Sequence, residues 1–249
     1  MSAANNGIEE NLNLVLEDAN LQEIAVDFGD IALDTLFDES VLKDVPVLGV
    51  LVKVISARAT IADKLFLRKL LSFLFHLRDI PPKDRAAMIR RIDESQEYRT
   101  RVGEKLLFII NSCEDYEIAE LIGRVFRHFL QGKINYRQFL KTSSVLQRLN
   151  MSDFKWFTCE KEHKYFDLSN TGNLMHTGLF ELYYRDVKVD IIDKFDDGIV
   201  PREARLEAAT EAERKILYET DVDGGVDVNL SEAGEIIMEI FNPKFKQMT

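Results

Sequence analysis

Four histidines, two cysteines and forty-three carboxylates are the groups in this chain that could bind a metal or move a proton. Cys159 and His163 stand four residues apart, a spacing that puts two side chains on one helical face. A structural zinc site needs four ligands in recognisable pairs, and the only other thiol is Cys113. Two acidic stretches have the outline of a calcium loop. Asp167-Leu168-Ser169-Asn170-Thr171-Gly172 has glycine at the sixth position, but Gly178 stands at the twelfth, where a bidentate glutamate is needed. Asp221-Val222-Asp223-Gly224-Gly225 has Glu232 at the twelfth, but Val226 at the sixth. Each lacks a required part, so turn chemistry is the expected use of both, with no metal and no cofactor.

Nucleophile elbows, phosphate-cradling glycine loops, His-Glu-x-x-His and dinucleotide fingerprints are all missing from the sequence. We therefore expect no enzyme and assign no catalytic residue.

The densest basic cluster is Lys83, Arg85, Arg90, Arg91, Arg99 and Arg101. It reads either as a solvated helix face or as a site for an anion such as a nucleotide or oligonucleotide, because grouped Lys and Arg attract phosphate through charge. Its setting is uneven. Residues 1–44 carry a net charge of −10, residues 45–150 carry +8 and residues 151–249 carry −9. The acidic flanks either attract the basic middle within one fold or cover a surface that otherwise meets an anion.

The longest apolar run extends from Val45 to Ile55, interrupted only by Lys53. It is shorter than the roughly 20 residues of a spanning helix. Two readings stand: a buried core helix, or a segment that enters a bilayer within an oligomer. In the second, Val47, Leu48, Gly49, Val50, Leu51, Val52, Lys53 and Val54 are the membrane or pore candidates, with Lys53 facing a lumen or a partner helix.

These residues must be held by helices. Leu21, Ile24, Phe28 and Ile31 recur at helical spacing within an acidic amphipathic segment, Leu14 to Asp38. A Leu- and Phe-rich helix is expected over Ala62 to Leu77, ended by Ile80-Pro81-Pro82, and a short one over Lys83 to Ile92. Asp93 with Gln96 resembles a capping box opening the helix that ends in Leu106 to Ile110. Further helices are expected over Ile118 to Leu130, closed by Gly132, and from a cap at Asn135 to about Leu149. In the last third, Ile216 to Thr220 and Val226 to Leu230 flank Asp and Gly residues, a hairpin signal, and Ser231 caps a closing helix, Glu232 to Phe241.

The fold class expected is mainly α: an N-terminal helical bundle followed by a small α+β domain. The divisions are 1–44, an acidic amphipathic arm; 45–150, a basic helical bundle; and 151–249, the α+β part. The order helix, Gly-Leu-Phe, hairpin and closing helix over about Phe154 to Phe241 resembles the tail of a winged-helix domain, though no basic recognition helix stands out. Asp44-Val45-Pro46-Val47-Leu48-Gly49, Ile61-Ala62-Asp63-Lys64-Leu65-Phe66-Leu67-Arg68-Lys69 and Arg101-Val102-Gly103-Glu104-Lys105-Leu106-Leu107 resemble a broad set of bacterial helical proteins with a winged-helix-like C-terminus. Those proteins are similar to phage-defence effectors, including the channel-forming, oligonucleotide-controlled Hailong type.

That resemblance implies an oligomeric antiviral effector of the abortive-infection kind. It would act on the inner membrane as a channel-like protein under the control of a nucleotide or oligonucleotide. The alternative is a non-enzymatic regulatory protein that binds a partner protein or nucleic acid. Expected partners are a second copy of the chain, the anionic ligand, a membrane and a companion enzyme from the same operon. With no basic-then-apolar leader at the N-terminus, the expected location is cytoplasmic, with peripheral or conditional association with the inner membrane.

Overall fold

The computed structural model describes residues 12, 14–18, 21, 60–98, 100–159, 166–186, 188–193, 218–223 and 225–242. The chain is mainly helical, with a small amount of antiparallel strand. Most of the acidic segment Leu14 to Asp38 and all of the apolar run Val45 to Ile55 lie outside the described residues.

Helix α1, Ile61–Phe75, begins at a full capping box: Thr60 accepts from the Asp63 N–H, and the Asp63 carboxylate accepts from the Thr60 N–H. It buries Leu67, Leu70, Leu71, Phe73 and Leu74. The two prolines that follow do more than stop it. Pro82 opens α2, Pro82–Asp93, at the first helical position, where a missing N–H costs nothing.

Helix α3, Val102–Ser112, is capped from a distance. The Val102 N–H donates to the Asp93 carboxylate at 2.8 Å, nine residues back, so Asp93 closes α2 and caps α3 through space. The local box with Gln96 suggested by the sequence is replaced by this contact. Helix α4, Tyr116–Leu130, starts at an Asp115 cap and is amphipathic throughout. It ends in a Schellman motif: Lys133 N–H donates to His128 O, and Gly132 N–H to Phe129 O. That ending needs a left-handed residue, and Gly132 supplies it with φ 70°.

Helix α5, Tyr136–Leu146, opens at a second full box, Asn135 with Gln138. Helix α6, Met151–Thr158, follows an Asn150 cap. A single turn, α7 (Leu168–Thr171), and a 3-10 helix, Gly172–Thr177, lead into strand β1, Phe180–Tyr184. Strands β2 (Lys188–Asp193), β3 (Tyr218–Asp223) and β4 (Val226–Leu230) come next, and α8, Glu232–Phe241, is the last element described.

The strands correct one expectation. The runs around Asp221 to Gly225 are both strands, but they do not form a hairpin with each other. β4 pairs antiparallel with β1, and β3 pairs antiparallel with β2. β3 finds its partners 25 to 35 residues earlier and β4 finds its own 42 to 50 residues earlier, and local Asp/Gly signals cannot encode that choice. Between the pairs Tyr184↔Val226 and Lys188↔Asp223 the register steps by one residue.

One hydrophobic core runs from Leu12 to Met238. Helix α1 lies against α4, and α8 packs on α4, α5 and α6. At its centre Phe73, Phe126, Phe129, Phe139 and Tyr136 form a chain of ring contacts with centroids 5.0–6.1 Å apart. Ring pairs at such distances add about 0.5–1.5 kcal/mol each beyond their burial.

Candidate functional site

The aromatic chain reaches a cleft through Tyr136 and Tyr98. Tyr98 meets Tyr136 edge-to-face at 4.8 Å, on the floor of a cleft of about 540 Å³ between the end of α2 and the α4–α5 turn. That volume lies within the range of small-molecule sites, about 300–1,000 Å³. Met88, Ile92 and Phe129 give it an apolar side; Arg91, Lys133 and Arg137 bring three cations against one carboxylate, Glu97. The α4 Schellman ending and the α5 capping box place Lys133 and Arg137 on either side of Asn135.

Burial raises the pKa of the Tyr136 hydroxyl, helped by the charge of Asp93. Burial also raises that of Tyr98; a hydrogen bond with Glu97 adds to this and the charge of Arg137 opposes it. Both rings therefore stay neutral at pH 7 and can donate a hydrogen bond. The part-exposed Tyr98 ring, backed by the buried Tyr136, can hold a planar, phosphate-bearing molecule by stacking, with the apolar walls and three cations beside it.

Four of the six basic residues expected from the sequence lie on α2, in different settings. Lys83 and Arg90 are exposed on α2, and Arg101 is exposed at the α3 N-cap. Arg99 and the membrane candidates Val47, Leu48, Gly49, Val50, Leu51, Val52, Lys53 and Val54 lie outside the described residues. Of the five cluster residues that are described, Arg91 alone lines the cleft.

Arg85 is a correction. It is fully buried, and its donors go to main-chain carbonyls. Nε donates to Leu16 O at 2.7 Å, Nη1 to Leu77 O at 3.4 Å and to Ile80 O, and Nη2 to Asp18 O. Burial lowers its pKa, and the charge of Asp18 offsets part of that. A guanidinium enclosed in this way ties the N-terminal segment to the α1–α2 turn and offers nothing to an external anion.

Sequence reading missed Tyr98, Tyr136, Lys133 and Arg137. The available signal was the Gly132 stop and the Asn135 cap, which mark a tight turn flanked by cations. The acidic stretches serve as caps and ties. The Asp167 carboxylate accepts from the N–H groups of Ser169 and Asn170. Glu232 accepts from Gln138 Nε2 at 3.0 Å and from Lys141 Nζ at 2.9 Å, joining α8 to α5. Among the described residues no group of three His, Cys, Asp or Glu side chains could hold a metal ion. Nor is any helix among them long and apolar enough to cross a membrane. Compared with known proteins, the chain matches no family model, no curated protein and no solved structure.

Proposed function

We propose that this protein is a non-catalytic regulatory protein whose helical bundle binds a nucleotide-like anion in the Tyr98–Tyr136 cleft. The observation that carries the reading is the convergence of Arg91, Lys133 and Arg137 on a cleft floored by two contacting tyrosines. Phosphate would meet the cations and the base would lie on the Tyr98 ring.

Ligand occupancy has a route to the C-terminal elements. Gln138, on the cleft wall, also holds Glu232 at the start of α8, which leads back into the β1–β4 ribbon. The winged-helix-like reading of residues 151–249 rests on this order of α6, ribbon and α8. It assigns those elements the contact with a partner protein or a companion enzyme.

Calorimetric titration with ATP, inorganic phosphate and a short single-stranded oligonucleotide tests the proposal. ATP should bind, the binding should weaken steeply with salt, and Lys133→Ala with Arg137→Ala should weaken it about tenfold or more. Tyr98→Ala should weaken ATP but leave phosphate unchanged. No binding of any probe by folded protein at low salt overturns the reading.

A membrane-acting antiviral effector, the other reading, is favoured by the apolar run Val45 to Ile55 in the sequence. Depolarisation of expressing cells that Val50→Asp abolishes without unfolding the protein would support it. Inert, fully extractable wild-type protein would remove it.

A further inference from the structure

The geometry points to the outer edge of β1 as a docking surface for a second copy of this chain, joined in antiparallel register about Tyr183. Backbone hydrogen bonds decide which side of β1 is open. Arg185 N–H donates to Gly225 O, and Ser231 N–H donates to Leu179 O, both at 2.9 Å. In an antiparallel ladder, hydrogen-bonded residues alternate. Leu179, Glu181, Tyr183 and Arg185 therefore direct their main-chain groups toward β4, and Phe180, Leu182 and Tyr184 direct theirs away from it. Among the described residues no strand pairs on that side.

The same strand carries exposed apolar bulk. Leu182 is 37% exposed, Tyr183 61% and Tyr184 69%. A two-stranded ribbon is marginal by itself, and an open, apolar edge is a template for another strand.

Charge selects the occupant and the register. Only a residue that points outward can exchange hydrogen bonds with another that points outward, so a two-fold axis must pass through a residue and not between two. With the axis at Tyr183, Leu182 exchanges hydrogen bonds with the partner's Tyr184, and Glu181 lies opposite the partner's Arg185 twice over. Apolar groups then meet on one face and opposite charges on the other, the pairings that stabilise adjacent strands. An axis at Leu182 or Tyr184 loses both ion pairs. Within the protomer Arg185 leans across β4, 3.4 Å from Asp227 in a half-exposed pair, and the dimer requires its guanidinium to turn to the partner's Glu181. The contact is isologous and closes as a dimer.

The inference is independent of ligand binding in the cleft. Sedimentation of the full chain tests it, with circular dichroism confirming that each variant is folded. Wild type should dimerise. Glu181→Arg and Arg185→Glu should each weaken the dimer by about tenfold, and the double exchange should recover it. Tyr184→Pro should also weaken it, because that N–H faces the partner and not β4. A wild type that stays monomeric up to about 100 μM, where even weak specific dimers form, overturns the inference. So does a dimer that the single variants leave intact, or one that the double exchange fails to restore.

Discussion

The guanidinium of Arg85 donates from Nε to the carbonyl of Leu16 at 2.7 Å, across sixty-nine residues of sequence and inside the core. A charged side chain in the densest basic cluster is thereby committed to main-chain carbonyls of two segments. Arg85→Ala should destabilise the fold by about 3–5 kcal/mol, because it leaves buried carbonyls without donors and opens a cavity. Arg90→Ala, on the exposed face of the same helix, should stay within about 0.5 kcal/mol of wild type. Urea unfolding midpoints of the two variants check the contrast; equal midpoints would refute the buried role.

Gly123 sits where α4 comes close to the backbone of α1. A Cβ at this position would lie 2.6 Å from Phe73 O and 3.1 Å from Phe73 Cα, both backbone atoms of the facing helix. Neither can move without shifting α1. Gly123→Ala should cost about 1–3 kcal/mol despite the better helix propensity of alanine. Thermal denaturation reads this directly, and an unchanged or higher midpoint would mean the helices are not so closely packed.

Acid stability should depend on Glu120. The imidazole of His76, with Nε2 3.3 Å away, holds its carboxyl below the usual carboxylate range, and Arg124 adds to this against the opposing effect of burial. A carboxylate with a depressed folded-state pKa contributes stability above its unfolded value and loses it as pH falls through the folded one. Wild type should therefore lose stability between about pH 5 and pH 3 more steeply than Glu120→Gln. Parallel slopes for the two proteins in denaturant titrations at each pH would show that the carboxylate contributes nothing.

The two thiols should differ sharply in reactivity. Cys159 is exposed, whereas Cys113 is buried and burial pushes its pKa up to about 12. The thiolate is the reactive form. A thiol reagent at pH 8 should modify one cysteine in native protein and the second only on unfolding. Mass spectrometry of the labelled peptides identifies the order, and early labelling of Cys113 would contradict its burial.

The helices were largely legible because their signals are local. Thr60 with Asp63, Asn135 with Gln138, Gly132 and Ser231 each satisfy or terminate a helix end within a few residues. Apolar spacing in α4 announces the face it buries. The wider layout, basic between acidic flanks, is also written in the composition.

Tertiary structure alone decided the rest. Asp93 caps a helix nine residues away, β4 pairs with β1 and not with β3, and Arg85 turns inward while Arg91 opens onto a cleft. Tyr98, Tyr136, Lys133 and Arg137 become a site because α2 ends beside the α4–α5 turn. The physical reason is common to all of them. Capping and periodicity depend on neighbours along the chain, whereas pairing, burial of charge and cavity formation depend on which surfaces the core brings together.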